Sequence, residues 1–294
     1  MTLESRSTEA GDRLVLLGTK GGPRVAAHRA NPANLLVIGG VPYVIDCGYG
    51  VTRQLVSFGL ELTELRTIFI THHHADHNLE YGNLIYSVWA RGLTHPVDAY
   101  GPIGLERMTE LFLELNAFDI RIRMADENRP DLRKLVRAHD VLMNGEVFRN
   151  DSVTVTAFQT PHPPIYDNFA YKFETKEAVI VFSSDTEYNP RLAEFASGAD
   201  ILVHEALYEP GVNALVARIP NAGRLKEHLM AAHTTTEDVG RIAAQAGVKT
   251  LVLSHFVPGD DPNITDAMWA EGVRKHYAGR VIVGADLMSI PLSR

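Results

Sequence analysis

The stretch that decides the fold is Thr67-Ile68-Phe69-Ile70-Thr71-His72-His73-His74-Ala75-Asp76-His77. Its first part, residues 67–70, is a short apolar run of the kind that forms a buried strand. Its second part, residues 71–77, holds four imidazoles and one carboxylate, although the whole chain has only 13 histidines in 294 residues. The polar cluster therefore follows the carboxyl end of a strand, which is where open α/β sheets place their ligands.

The residue types in this loop predict a metal site. Neutral imidazole and carboxylate groups are the preferred ligands of zinc and of similar divalent cations. The alternative is a histidine-rich loop that is simply solvated. The chain has a single cysteine, Cys47, so neither a thiolate cluster nor an intramolecular disulfide can form. This cysteine usage fits a reducing compartment, and we expect a cytoplasmic protein.

The composition is that of a soluble globular protein, with 45% hydrophobic and 22% charged residues and a formal net charge of −8. Proteins whose main task is to bind nucleic acid are more often basic. No apolar run of about eighteen residues occurs, so no membrane span is expected. Residues 1–13 are polar without an apolar signal region, which predicts a flexible tail before a single domain over residues 14–294.

Other strand-like runs also end in a potential ligand or proton carrier. These residues are Asp46, Asp185, Glu205 and His255. His162 lies in a proline-rich loop, which restricts its backbone, and His233 directly precedes a helix that Thr235 or a neighbouring threonine caps. Because such ends recur over nearly 200 residues, core packing alone does not explain them. For Asp46, a helix cap remains an alternative to a role in orienting a ligand histidine.

Three other segments carry structural predictions. The glycine-rich residues 18–23 lack the ending of a P-loop, which favours a tight turn beside the active site. Residues 120–140 are charged and irregular, which predicts a peripheral excursion with a short helix at 132–137. Residues 207–232 contain two short helical patterns after a Pro-Gly break, which predicts an inserted segment that acts as a lid or an interface.

The T-H-x-H-x-D-H pattern after an apolar strand resembles the metallo-β-lactamase superfamily. Within it, the chain is most similar to the ribonuclease Z and arylsulfatase-like branch. The matching stretches are residues 46–55, His204-Glu205-Ala206, His233-Thr234-Thr235 and Leu253-Ser254-His255-Phe256. The resemblance covers roughly residues 14–290 and implies an α/β fold, the αββα sandwich of this superfamily.

The resemblance also implies a dinuclear centre. One ion would be bound by His72, His74 and His162, a second by Asp76, His77 and His255, and Asp185 would bridge them. Zinc suits these ligands, and manganese or iron would also accept them. Two such ions about 3.5–4 Å apart share a hydroxide that attacks the substrate. Glu205 would orient His233, which would protonate the leaving group or hold the oxyanion. Together with these two residues, we expect Asp76 to be catalytic as well as a metal ligand.

From these observations we expect a zinc-dependent hydrolase acting on a small ester, with a phosphodiester first and an aryl sulfate or lactone next. Two alternatives are a tRNA 3′ processing endonuclease and a non-catalytic metal-binding protein of the same fold. Segment 207–232 has only three fixed cations, Arg218, Arg224 and Lys226, and we find no long glycine- and lysine-rich arm. We therefore expect a small-molecule substrate, no nucleic acid and no membrane; the resemblance implies a homodimer.

Overall fold

The structure, a computed structural model, describes residues 11–292. Most of the predicted tail, residues 1–10, lies outside the described residues. Two seven-stranded mixed sheets pack face to face with helices on their outer faces. The predicted αββα sandwich is confirmed. Within residues 11–292, no helix has both the length and the apolar character needed to cross a membrane.

The first sheet contains the strand that leads into the histidine-rich loop. Its strands are β1 (Arg13–Gly18), β2 (Ala33–Ile38), β3 (Val41–Ile45), β4 (Thr67–Phe69), β5 (Val97–Pro102), β6 (Val136–Val141) and β14 (Met288–Pro291), in the order β14-β1-β2-β3-β4-β5-β6. Its helices are α1 (Val51–Phe58), α2 (Ala75–Asn78), α3 (Tyr81–Ala90), α4 (Leu105–Leu115) and α5 (Ala117–Asp126). Strands β3 to β6 are parallel, so the loops after them leave from one edge.

The second sheet supplies the later polar residues. Its strands are β7 (Gly145–Arg149), β8 (Val153–Gln159), β9 (Phe169–Thr175), β10 (Val179–Phe182), β11 (Ile201–Leu207), β12 (Thr250–Val257) and β13 (Arg280–Val283), in the order β13-β12-β11-β10-β9-β8-β7. Its helices are α6 (Pro190–Phe195), α7 (Glu209–Ala217), α8 (Leu225–Ala232), α9 (Thr236–Ala246) and α10 (Asp266–Arg274). Strands β10 to β13 are parallel, which again gathers their carboxyl ends at one edge.

Three apolar layers hold the sandwich together. Phe69 and Leu36 of the first sheet pack against Phe173 and Ile180 of the second. Outside the first sheet, Trp89 of α3 is fully buried, and a matching layer lies between the second sheet and α9. Because each sheet buries both faces, its central strands are nearly continuous apolar runs, which is why periodicity identified them from the sequence.

The prediction of a peripheral, irregular excursion over residues 120–140 is wrong, although a short 3-10 helix does form at Leu132–Lys134. These residues form most of α5 and all but the last residue of β6, which pairs in parallel with β5. Strand β6 lies at the edge of the sheet, and only its terminal residues Val136 and Val141 are buried. An edge strand with polar residues between its ends has no apolar run, so its pattern resembled that of a loop. Strand β14 at the opposite edge was not anticipated either.

Phe69, the last residue of β4, is central to the packing between the sheets. It is fully buried, and its ring centroid lies 5.1–5.5 Å from those of Tyr100, Tyr171 and Phe173. We expect Phe69→Ala to lower the free energy of unfolding by about 3–5 kcal/mol, because the cavity cannot collapse. Urea denaturation measures this change. The control Phe118→Ala removes a ring that is 71% exposed and should cost less than about 0.5 kcal/mol; equal losses for both variants would contradict the packing argument.

Candidate active site

The candidate site lies where strand ends from both sheets meet. Asp46 follows β3, residues 70–74 follow β4, Asp185 follows β10, and His255 lies near the end of β12. Asp46 and His255 have positive φ angles of 63° and 44°, as does Ser184 at 59°. Left-handed backbone is uncommon for residues other than glycine and concentrates at functional sites. The backbone therefore bends sharply where it presents these side chains.

One cluster consists of three histidines and Asp185. The Nδ1 atom of His74 lies 3.0 Å from His72 Nε2 and 3.1 Å from His162 Nε2. Asp185 Oδ2 lies 3.9 Å from both of these Nε2 atoms. Potential ligand atoms of the four residues all lie within 4.8 Å of one another. His74 and His162 are 88 residues apart in the sequence. The loop after β4 and the proline-rich loop thus bring them to the same place.

A second cluster lies on the other side of Asp185. His77 Nε2 and His255 Nε2 lie 3.7 Å and 3.5 Å from Asp76 Oδ2. The same two nitrogens lie 3.4 Å and 3.1 Å from Asp185 Oδ2. All seven side chains predicted as ligands are therefore brought together, and Asp185 is shared between the two groups. Metal binding by these residues stays a prediction.

Outer contacts fix the orientation of the rings. The Nδ1–H of His77 donates to Asp46 Oδ2 at 2.8 Å, and the Nδ1–H of His162 donates to the Ala232 carbonyl at 2.7 Å. Asp46 also accepts from the backbone N–H of Thr71 at 2.8 Å. Such contacts hold the free ring nitrogen toward a ligand. Asp46 thus orients His77, and a helix cap is not needed to explain it.

The glycine turn braces the same site. The N–H of Gly22 donates to Asp76 Oδ2 at 2.7 Å, and a Cβ at Gly21 would approach the ring of His255 to 2.6 Å. The buried Lys20 Nζ donates to the carbonyls of Gly21 and Gly22 at 2.9 Å and 3.0 Å. The segment is a tight turn beside the site, as its sequence indicated, and its glycines allow the backbone to approach Asp76 and His255.

Two histidines that neighbour the candidate ligands in sequence, His73 and His204, do not join either cluster. His73 contacts the Pro102 carbonyl and Asn78, at 3.3 Å and 3.0 Å, rather than the clusters. The Nδ1–H of His204 donates to the Glu205 carbonyl, and burial lowers its pKa to about 4. Neither side chain meets the candidate ligands at a place where one ion could contact both. The neighbouring Glu205, in contrast, points into the site because successive strand residues face opposite sides.

The electrostatics of the site divide its histidines into two sets. Burial lowers the pKa of His72 and His74, and that of His162 to about 4, so these rings are neutral at neutral pH. Burial also opposes charge on His77 and His255. The nearby carboxylates together outweigh it, however: Asp185, Asp46 and Asp76 raise the pKa of His77 well above its usual range, and Asp185 and Asp76 raise that of His255 to about 10. When no metal ion is bound, protons on His77 and His255 must balance the negative charge of these carboxylates.

The residues fit a divalent metal. Within residues 11–292, the buried atoms without a hydrogen-bond partner include His77 Nε2, His255 Nε2 and Asp185 Oδ1. Unsatisfied buried polar atoms are costly. The ring nitrogens His72 Nε2, His74 Nδ1 and His162 Nε2 also lie close together. Hydrogen bonds among these three nitrogens cannot satisfy all of them. Cations at these points would take the place of the protons on His77 and His255, as metals do when they bind ionisable ligands.

A carboxylate–histidine pair lies beside the clusters. The Nδ1–H of His233 donates to Glu205 Oε2 at 2.7 Å, and Glu205 Oε1 accepts from the backbone N–H of Thr186 at 2.6 Å. Burial opposes charge on His233, but Glu205 outweighs it and raises the His233 pKa. The ring packs parallel to that of His255, with centroids 5.6 Å apart. His233 therefore combines a fixed orientation with a favoured protonated state.

A cavity of about 370 Å³ opens onto the clusters and this pair. One wall is polar and includes His74, Asp76, Asp185 and His233. An apolar part of the lining comes from the inserted segment, with Leu215, Ile219, Leu225 and Leu229. Segment 207–232 thus covers the site, which favours a lid. His228 of α8 also lines the cavity; sequence reasoning missed it, because a lone histidine on a short helix carries no signal.

Comparison with known proteins reveals the family. A family model described as the anti-Pycsar protein Apyc1 matches residues 13–255. The chain is 32% identical over 280 residues to ribonuclease Z of Mycobacterium avium, covering 93% of this chain and 96% of the relative. The chain belongs to the Apyc1 family, in the ribonuclease Z-like branch of the metallo-β-lactamase superfamily.

Solved structures agree with this fold. Human tRNase Z, short form, has a TM-score of 0.71 at 20% identity, covering 96% of this chain and 100% of that one. The metallo-β-lactamase fold protein YhfI of Bacillus subtilis has the same TM-score at 19% identity, with the same coverage. This Apyc1-family protein is a metal-dependent hydrolase, as its sequence predicted.

The expectation of a small-molecule ester substrate without nucleic acid is wrong. Relatives that match almost the whole of this Apyc1-family chain are ribonuclease Z proteins. The expectation rested on the net charge of −8 and on the few cations of segment 207–232. Net charge is a sum over the whole surface, and it does not reveal where cations lie after folding. Lys20 and Arg24, far from that segment in sequence, line the cavity.

Proposed function

We propose that this protein is a ribonuclease Z-like endonuclease that hydrolyses a phosphodiester bond of RNA at a dinuclear zinc centre. The observation that carries the proposal is the Glu205–His233 pair beside two clusters of ligand-type side chains. The ribonuclease Z relatives, which match 93% of the chain, support RNA as the substrate. A dinuclear centre is supported by two groups of candidate ligands, His72, His74 and His162 with Asp185, and Asp76, His77 and His255. Asp185 Oδ2 also lies 3.4 Å and 3.1 Å from the Nε2 atoms of His77 and His255 in the second group.

The metal-binding role in this proposal falls to seven side chains. His72, His74 and His162 would hold one ion, Asp76, His77 and His255 the other, and Asp185 both. Bound there, divalent ions would polarise phosphate oxygens and bring the pKa of a water close to neutral. The protein supplies the fixed geometry: Asp46 orients His77, the Ala232 carbonyl orients His162, and Gly22 orients Asp76.

His233 is the proton donor in the proposal. Its Nδ1–H is donated to Glu205, and the raised pKa favours a second proton on Nε2. Because His233 lines the cavity, we assign this proton to the leaving ribose oxygen. General acid catalysis of this kind contributes about 10²–10⁴-fold to rate. The apolar wall of the cavity keeps water from competing for the same proton.

Cations near the cavity would contact RNA phosphates. Arg24 and Arg218 each lie 3.3 Å from the shared carboxylate of Asp260, and both arginine side chains are partly exposed. Two guanidinium groups on one carboxylate leave donors for an incoming phosphate, because each guanidinium has five N–H groups. This arrangement, rather than net charge, supports binding of a polyanion at the site.

Cleavage of a precursor tRNA that carries a 3′ trailer tests the proposed activity. We expect the zinc- or manganese-supplemented protein to cut this RNA, and EDTA to abolish the cut, because ions held by the clusters would polarise the phosphate and supply the attacking hydroxide. Gel electrophoresis of labelled RNA measures the products. If the metal-replete protein leaves both this RNA and an unstructured RNA of equal length intact, the proposed function is wrong.

Binding of the same RNA should also depend on salt. With roughly three phosphate contacts, the affinity should fall about 40-fold between 50 and 200 mM salt, through counterion release. Filter binding with inactive, metal-free protein measures this slope. Arg24→Ala should flatten it, whereas Arg149→Ala, on the exposed β7–β8 hairpin, should not. An affinity that does not change with salt would contradict binding through phosphates.

A further inference from the structure

His228 is a histidine of the site for which the proposed chemistry has no role. It lies on α8, half-buried, and lines the cavity beside His74 and His233. Its ring centroid lies 6.1 Å from that of His233 and 6.3 Å from those of His74 and His162. It therefore faces, from the helical wall, both the first metal-type cluster and the Glu205–His233 pair.

The geometry separates His228 from the ligand set. Among residues 11–292, none of the groups whose potential ligand atoms lie within 4.8 Å of one another includes His228. Within the same residues, no hydrogen bond or ion pair joins either of its ring nitrogens to the protein. The adjacent His233 and His162 rings, in contrast, have bonded partners for Nδ1. The donor capacity of His228 is therefore free for a ligand in the cavity.

Packing of α8 holds His228 in this place. Leu229, next to it, is buried in a small apolar cluster with Leu207, Val212 and Leu215. Leu225, one turn earlier, packs against the same cluster and lines the cavity. A residue on a helix anchored in this way is positioned more precisely than one on a loop. The orientation of His228 thus follows from the packing of the inserted segment on the domain.

We propose that His228 is a substrate-contacting residue, whose ring N–H donates from α8 to an oxygen of the scissile phosphodiester in the cavity that it lines. This inference rests on the proposed function and assigns the inserted segment a part in substrate binding. An imidazole N–H facing an anionic oxygen forms a charge-assisted hydrogen bond, which is stronger than a neutral one. His228 and His233 would then contact the same phosphodiester from within α8 and from the residue that directly follows this helix.

Three variants test this role. His228→Ala removes the donor, and His228→Asn keeps an N–H of similar reach. Glu227→Gln is the matched control, since Glu227 lies on the same helix and forms an exposed pair with Arg224. The readouts are zinc content, kcat and KM for bis(4-nitrophenyl) phosphate and for precursor tRNA, and the affinity of the zinc-loaded protein for inorganic phosphate by calorimetry.

For His228→Ala we expect unchanged zinc content, phosphate affinity lowered about 10-fold and kcat/KM lowered about 10- to 100-fold. His228→Asn should recover part of the loss, and Glu227→Gln should behave as the parent protein. Loss of zinc in His228→Ala, or phosphate affinity equal to that of the parent, overturns the inference. Phosphate binding distinguishes the two proposals. If the parent protein binds phosphate through His228 but cuts no RNA, only the proposed function is refuted. If the parent protein binds no phosphate, the inference about His228 is refuted.

Discussion

Replacing Asp185 by alanine should remove both metal ions and lower turnover by on the order of a thousandfold or more. One oxygen of Asp185 lies 3.1–3.9 Å from ring nitrogens of His72, His77, His162 and His255. Without it, each proposed ion loses a charged ligand, and His77 and His255 lose a carboxylate that raises their pKa. Elemental analysis of the purified variant, with steady-state kinetics after zinc supplementation, measures both effects.

The control for Asp185→Ala is Asp151→Asn, which changes an exposed aspartate in the turn between β7 and β8. This variant should keep the zinc content and turnover of the parent protein. Circular dichroism verifies that Asp185→Ala is folded. A folded Asp185→Ala that retains two equivalents of zinc and turns over within tenfold of the parent would show that Asp185 does not join the two clusters functionally.

His233→Ala should lower kcat by about 10²–10⁴-fold while zinc content stays that of the parent. The ring is the proposed proton donor, and it lies outside the two groups assigned to the ions. Glu205→Gln should have a smaller effect in the same direction. It keeps the imidazole but removes the charge that raises the His233 pKa.

The matched control for His233→Ala is His276→Ala, which removes a histidine after α10 that pairs with Glu237, away from the cavity. It should leave kcat unchanged. Two outcomes would contradict the proposed role of His233. In the first, its replacement lowers zinc content together with turnover, which would make it a ligand or a scaffold. In the second, kcat of His233→Ala stays within threefold of the parent.

The core of the site was predictable from the sequence because its signals are local. Residues 67–77 join an apolar run directly to four histidines, and parallel strands place their carboxyl ends together. Asp46, Asp185 and His255 follow or end such runs, so the position of each side chain at a strand end was predictable. Their meeting across the two sheets was implied by the family resemblance. The αββα architecture was likewise implied by that resemblance; the apolar character of central strands that are buried on both faces indicated only where strands lie.

What the sequence did not reveal depends on contacts between distant residues. His162 is held by the Ala232 carbonyl, 70 residues away, and its assignment came from the resemblance rather than from its own loop. His228 becomes part of the site only because α8 packs over the cavity. Strand β6 was missed because its middle residues are polar at a sheet edge, and the substrate was misjudged because Lys20, Arg24 and Arg218 come together only after folding.

A crystal structure of the zinc-loaded protein, with anomalous diffraction collected at the zinc edge, is the most direct test of the account. We expect two anomalous peaks per chain, one for each proposed zinc ion. The first should lie among His72, His74 and His162, the second among Asp76, His77 and His255, and Asp185 should contact both. A single peak elsewhere, or no peak in zinc-saturated crystals that diffract well, would contradict it.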